Sequence, residues 1–361
     1  MKKIVFVHLL NDYSGSPKVL SQVINVASLS GMDVHLYTCS GGEGFLDNVN
    51  AKRFYFPYKH FNNKLLTLLS FFTSQLFLFF KLLKYRKDPD VVFYINTMLP
   101  FGAVLAGRVI GKRVICHIHE TSLKPLILKN FLRSIIKISA SEVVFVSEYL
   151  RSVEDFQELK STVVYNGIEG QERLCDLKNK NRNFTVLMIC SLKSYKGVHE
   201  YVGLAKQFEI NRSSVAFKLI LNATESEVNL FFNGRSLPHN LAILTKQSDM
   251  TPYYLDSSLL LNLSRPKEWV ETFGLTIVEA MSYGVPVIVP PVGGPAEIVK
   301  DGEQGYLIDC AKEEELVKKI SNLQDDSYEY DRLSVNAFNR AKDFSLEVFN
   351  REIERVIIDK K

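Results

Sequence analysis

The chain predicts an α/β protein of two domains, and three observations carry that prediction. Its 361 residues exceed what one ordinary hydrophobic core serves. Apolar runs bounded by Gly, Asn or Asp alternate with longer helical stretches, which is the pattern of repeated βαβ units. A polar, charged stretch at residues 169–182 separates two such series and marks the junction. A composition of 46% hydrophobic and 23% charged residues excludes a disordered chain.

Taken in order, residues 4–10 read as the first strand. Met1, Lys2 and Lys3 ahead of this run superficially resemble a signal peptide. The run is short, however, and polar Asn11 and Asp12 follow where small cleavage-site residues are needed. A helix over 17–29 closes at Gly31, and a strand begins at 34–38. Further strands fall at 91–95, 114–118, 143–146 and 162–165. The second series runs through 184–189, 217–221, 242–244, 259–263 and 285–289. In several of these the β-branched residues are continuous rather than alternating, as in strands covered on both faces. Two helical patterns occupy the last forty residues, the second at 345–358.

Residues 65–83 stand apart because they are rich in Leu and Phe and approach the length of a membrane span. Thr67, Ser70, Thr73, Ser74, Gln75 and Lys81 argue against a span. Lys59 and Lys64 flank the segment on one side, and Lys84, Arg86 and Lys87 on the other. A packed helix, a helix lying at a membrane surface and a true span are the three readings.

The formal charge of +4 is unevenly placed: 20 Lys/Arg against 13 Asp/Glu in residues 1–170, then 24 against 27. A basic first half beside a slightly acidic second suggests that the halves meet different partners, ordinary surface scatter being the alternative. No nucleic-acid partner is expected. Cys39, Cys116, Cys175, Cys190 and Cys310 share no metal-type spacing and read as buried, reduced thiols of a cytosolic protein.

The chemistry concentrates at residues 271–297. Glu271 and Glu279 stand eight positions apart across a Gly-containing turn that opens a helix. A helix starting near Gly274 leaves the N–H groups of Phe273, Gly274 and Leu275 open to an anion or a sugar hydroxyl. Glu279, more than one turn inside, can accept paired hydrogen bonds from a diol such as a ribose.

This segment resembles the double-glutamate motif of glycosyltransferase family 4, whose members are retaining enzymes of the GT-B fold. Other stretches resemble that family in the same order. Residues 11–20 match its glycine loop, with Gly15 at the close-approach position, and 31–38 match the next helix end and strand. His117, His119 and Glu120 match its His–acid pair, and Asn166, Gly167 and Ile168 the turn closing the first domain. Residues 190–197 match its phosphate loop and 301–307 the turn after the last motif.

The resemblance implies two Rossmann-like domains, 1–170 for the acceptor and 183–361 for the donor. Their parallel sheets would face each other across a cleft, with the helix near 345–358 returning to the first domain. It also implies roles: Lys196 on the diphosphate, Glu279 on the ribose, and Glu271 with the Phe273, Gly274 and Leu275 backbone on the transferred sugar. His119 would face that sugar, and Gly15 would leave room for diphosphate and acceptor. His119, Lys196 and Glu271 are thus the catalytic candidates. Family members usually carry Arg where this chain has Ser191, so Lys193 or Arg265 substitutes or a cation is missing. The nucleobase is expected against backbone near residues 245–248.

Asp88-Pro89-Asp90 matches the metal-binding Asp-any-Asp motif of other glycosyltransferases, but it precedes a strand with no phosphate loop beside it and reads as a turn. The expectation is therefore a hexosyltransferase that uses a UDP- or GDP-sugar, takes a glycan or lipid-linked acceptor, and needs neither metal nor cofactor. It would act in bacterial surface polysaccharide synthesis, in the cytoplasm or peripheral at the inner face of the cell membrane. The competing readings are an inverting, epimerase-like GT-B enzyme and a non-catalytic nucleotide-sugar-binding subunit.

Overall fold

The computed structural model describes residues 2–154, 156–170, 184–247 and 249–358. The expected junction lies largely, and Cys175 and Ser248 entirely, outside the described residues. The chain forms two compact units, Met1–Gly167 with Glu347–Lys361, and Ile168–Leu346.

The first unit is built on seven parallel strands: β1 (Lys3–Val7), β2 (Asp33–Cys39), β3 (Lys52–Phe56), β4 (Val91–Asn96), β5 (Arg113–Ile118), β6 (Glu142–Phe145) and β7 (Lys160–Val163). Their order is β3-β2-β1-β4-β5-β6-β7. The strand order reverses between β1 and β4, the place where open parallel sheets bind ligands beyond their carboxyl ends. Helices α1 (Gly15–Leu29), α2 (Lys64–Leu82), α3 (Phe101–Val109), α4 (Leu126–Ser139) and α5 (Glu148–Val153) make the crossovers. Continuous apolar runs explain the central strands: every residue of β4 is buried, as are the last four of β1.

The second unit repeats the plan with β8 (Thr185–Ser191), β9 (Ala216–Asn222), β10 (Leu241–Leu244), β11 (Leu259–Leu261), β12 (Val287–Val289) and β13 (Gly305–Leu307), all parallel. The order β10-β9-β8-β11-β12-β13 reverses between β8 and β11. Its helices are α6 (Val198–Ile210), α7 (Glu225–Phe232), α8 (Thr251–Leu255), α9 (Leu275–Ser282), α10 (Pro295–Ile298), α11 (Glu313–Asp325) and α12 (Ser327–Ala341).

The final helix, α13 (Leu346–Ile358), belongs to the first unit from Glu347 onward. It buries Phe349, Ile353, Val356 and Ile357. Two cations satisfy its last carbonyls: Arg113 donates to Val356 O at 2.7 Å and Lys2 Nζ to Ile357 O at 2.8 Å.

Two strands go beyond the sequence reading. β3 is a half-exposed edge strand beginning with Lys52 and Arg53, so its apolar pattern is weak. β13 is only three residues long and starts with Gly305, where a Cβ would lie 1.8 Å from Val287 O. The first strand is shorter than 4–10, ending at Val7.

Candidate functional site

In the second unit, the strand-order reversal brings together the loops that leave β8 and β11. The β8 loop passes Ser191 and ends in Lys196 and Gly197, with Gly197 at φ 80. A Cβ there would lie 2.2 Å from Leu263 O, so glycine lets this loop press against the one after β11. Arg265 N donates to Tyr195 O at 2.8 Å and pins the two loops together.

Across this contact Lys196 Nζ reaches Glu271 Oε2 at 2.6 Å, with both side chains mostly buried. The same ammonium lies 5.2 Å from the ring centre of Trp269, which stacks on Tyr195 at 5.2 Å. Trp269 is the chain's sole tryptophan; its position just before Glu271 is the signal that sequence reasoning left unused.

Glu271 itself is held by backbone. Gly294 N donates to Glu271 O at 2.9 Å. A Cβ on Gly293, at φ 76, would sit 2.4 Å from that oxygen, and one on Gly294 would sit 2.4 Å from the Phe273 Cα. The Gly293–Gly294 pair thus clamps residues 271–273 from the β12 side. Phe273 is buried, with its ring 5.8 Å from Phe344.

Gly274, at φ 112, caps α9. The first backward bond of the helix is from Ile277 N to Gly274 O, so the Leu275 and Thr276 amides precede the helical ladder, at its positive end. Glu279 lies on the following turn and accepts from Tyr254 OH at 2.6 Å. Tyr254 is buried and stacks on Tyr283 at 5.4 Å. Burial, then the adjacent Glu279 charge, hold its phenol well above the ordinary value, so it remains a donor. Tyr254 was not a sequence candidate. The nearby loop is ordered by Tyr253 OH donating to Gln247 Oε1 at 2.9 Å and by Gln247 Nε2 donating to Thr245 O at 2.9 Å.

The structure therefore brings Lys196 to Glu271 and sets Glu279 inside the helix that follows. Arg265 is differently engaged: its guanidinium donates to Glu200 at 2.7 Å and to Glu268 at 2.9 Å, and these bonds raise its pKa further. Lys193 is exposed, and Ser191 ends β8 with its carbonyl accepting from Lys193 N.

In the first unit, Gly15 opens α1 after a turn in which Asp12 accepts from Ser14 N at 2.8 Å. His119 follows β5, its Nε2 2.8 Å from Asn96 Oδ1 and its ring 4.2 Å from that of His117. The Asn96 amide continues to His8 Nδ1 at 3.1 Å, and Tyr94 OH meets His117 Nδ1 at 2.8 Å. Burial lowers all three imidazoles, His8 to about 4, His117 to about 3 and His119 well below its ordinary value, so the cluster is neutral. Burial pushes Glu120 up to about 7, although its carboxyl accepts from Met98 N and His119 N.

Asp88 is tied to Lys3 Nζ at 2.6 Å ahead of β4. Among the described residues no group of three or more His, Cys, Asp or Glu side chains is gathered for a metal ion. Burial raises the thiol of Cys190 to about 12.

Comparison with known proteins bears on the family and the fold. Residues 13–172 match the model for Glycosyltransferase Family 4, and residues 174–340 that for Glycosyl transferases group 1. The N-acetyl-alpha-D-glucosaminyl L-malate synthase of Bacillus anthracis is 26% identical over 290 residues, covering 74% of this chain and 72% of that protein. A sucrose synthase of Denitrovibrio acetiphilus is 42% identical over 77 residues, 20% of this chain. The chain spans only 10% of that relative's length. Among solved structures, Anabaena HepE in complex with UDP and glucose superimposes with a TM-score of 0.80 at 19% identity, covering 100% of each chain. Two parallel-sheet units and the two family matches agree, and the chain belongs to the family 4 type of glycosyltransferases, with the GT-B fold.

Proposed function

We propose that this protein transfers a hexose from a nucleoside-diphosphate sugar to a glycan or lipid-linked acceptor, with retention at the anomeric carbon. The observation that carries the reading is the Lys196–Glu271 contact at 2.6 Å beside the amide end of α9. As the glycosidic C–O bond breaks, the leaving diphosphate gains negative charge. An ammonium group and helix-end amides stabilise that charge without a metal. Glu271 would pass from the ammonium to the hydroxyls of the transferred sugar, and Glu279 would accept from the ribose. A UDP-sugar is the first donor to try, by analogy with HepE.

Retention is supported by the family resemblance, with the leaving phosphate helping to deprotonate an acceptor that attacks the same face. His119 is proposed to contact the sugar; what supports it is a neutral imidazole held in place by Asn96. Arg265 already serves two carboxylates, so the proposed charge stabilisation rests on Lys196. A role in bacterial surface polysaccharide synthesis, with the protein cytoplasmic and peripheral at the inner membrane face, completes the reading.

Incubation with labelled UDP- and GDP-sugars and candidate acceptors tests it, with NMR assigning the anomeric configuration of product. Transfer with retention is expected; an inverted product would refute the mechanism. Ser191 at the usual Arg position favours a second reading, a nucleotide-sugar-binding subunit without turnover. Donor binding with neither transfer nor hydrolysis would establish that alternative.

A further inference from the structure

Helix α2 is built inside out. Its buried stripe is Phe71, Ser74, Gln75, Leu78 and Leu82, and it contains the polar Ser74 (0% exposed) and Gln75 (1%). Gln75 Oε1 accepts from Gly102 N at 3.1 Å, and a Cβ on Gly102 would lie 2.1 Å from Gln75 O, so α2 and α3 touch backbone to backbone there. The opposite stripe, Leu65, Leu69, Phe72, Leu76 and Phe80, is exposed, Leu65 to 76%. Water selects the reverse arrangement on a surface helix.

The exposed face does not end with α2. Phe72 meets Phe131 of α4 at 6.1 Å, and both rings pack on Phe101 of α3. Helix α4 exposes Leu126, Ile127 (83%), Phe131 and Ile138. Two helices of one unit therefore share a continuous apolar surface, larger than scattered exposed side chains account for. The helix with its short extension, Lys64–Lys87, is long and apolar enough to cross a membrane by length and composition alone. Its packing through Gln75 against α3 makes it a lateral element of the sheet unit instead.

Charge identifies what covers this surface. Residues 48–87 contain eight Lys/Arg and no Asp/Glu, and residues 121–141 contain four and none. Lys129 and Arg133 are committed to the buried Glu154, at 2.6 and 3.3 Å, which anchors α4 from beneath. Lys64, Lys84, Arg86, Lys87 and Lys124 remain exposed around the ends of α2 and the start of α4. A cation-flanked apolar stripe is complementary to acyl chains beneath anionic headgroups.

We propose that α2 and α4 together form a platform that lies in the interface of an anionic bilayer, with Leu65, Leu69, Phe72, Leu76, Ile127 and Phe131 entering the acyl boundary. This rests on and deepens the peripheral location proposed above by naming the surface and the lipid it takes, and it can fail independently of glycosyl transfer, since vesicle binding requires neither donor nor acceptor.

The test is flotation of the full chain with phosphatidylcholine vesicles, with and without about 30% phosphatidylglycerol. Binding to the anionic vesicles is expected at low salt, weakening severalfold as salt rises from about 50 to about 500 mM. Ile127→Gln and Leu69→Gln should each weaken partitioning about tenfold, with an unchanged melting temperature because both side chains are exposed. Lys124→Gln and Arg86→Gln give an independent measure, at about fivefold per charge. Absence of binding at low salt would overturn the platform. Equal binding to neutral vesicles would refute the anionic partner, and resistance to salt and alkaline carbonate would show a span. A dimer of the wild type that Ile127→Gln and Leu69→Gln dissociate would assign the face to a second copy.

Discussion

Replacing Tyr254 by Phe removes one hydroxyl and nothing else. The ring remains buried and stacked on Tyr283 at 5.4 Å, but the 2.6 Å hydrogen bond to Glu279 Oε2 is lost. A neutral donor bonded to a carboxylate contributes about 1.5–3 kcal/mol where both groups are buried. Glu279 is only part-buried, so about 1–2 kcal/mol is expected, or about five- to thirtyfold in affinity. On the proposed reading this loss falls on nucleotide binding, because the phenol orients the carboxylate that receives the ribose. Calorimetric titration with UDP should show the weakened Kd. Steady-state kinetics should show a raised donor KM with kcat nearly unchanged, the pattern of lost uniform binding. Combined with Glu279→Ala, the effect should be far less than additive, since both changes remove the same bond. A Kd within twofold of wild type would refute the claim that this hydrogen bond prepares Glu279 for a ligand.

Gly293→Ala places a Cβ 2.4 Å from Glu271 O at a positive φ, so it should destabilise by at least about 2 kcal/mol and depress donor affinity, read by thermal melting and titration. Arg265→Ala should leave UDP affinity within twofold, because its guanidinium is engaged by Glu200 and Glu268; a tenfold loss would instead assign it to the diphosphate. For His8 the folded state favours the neutral form, so the unfolded chain binds more protons between pH 6.5 and about 4. Stability from this group is present above pH 6.5 and falls with pH across that window, by about 3 kcal/mol. Glu120 has the opposite sign: raised from 4.5 to about 7, it favours the fold at low pH, and that contribution is lost as pH rises through 7. Glu120→Gln should therefore steepen the acid loss seen in denaturation between pH 7 and 4.5; an unchanged slope would contradict it.

The central strands of the two sheets were legible because their apolar residues are largely buried, so residues 91–95 and 186–190 announce themselves as unbroken apolar runs. Lys52–Phe56 was hidden by its edge position, which tolerates charge. At the site, Lys196 and Glu271 were legible because each stands in a glycine-marked motif, and Gly197, where a Cβ would lie 2.2 Å from Leu263 O, marks the close approach of the Lys196 loop to the loop after β11. Tyr254 was not, since its contact with Glu279 depends on how α8 and α9 pack rather than on any local pattern. The partners of Arg265 were hidden for the same reason. In α2 the abundance of Leu and Phe concealed which face is inward, and only packing reveals that Ser74 and Gln75 are.

The claim beneath all of this is that Lys196, Glu271 and Glu279 form the seat of a sugar nucleotide. Calorimetric titration of UDP- and GDP-sugars into the wild type, Lys196→Ala and Glu279→Gln tests it most directly. A donor seat predicts measurable binding to the wild type and at least about a tenfold loss in each variant. Undiminished affinity in both variants would place the nucleotide elsewhere and end the assignment.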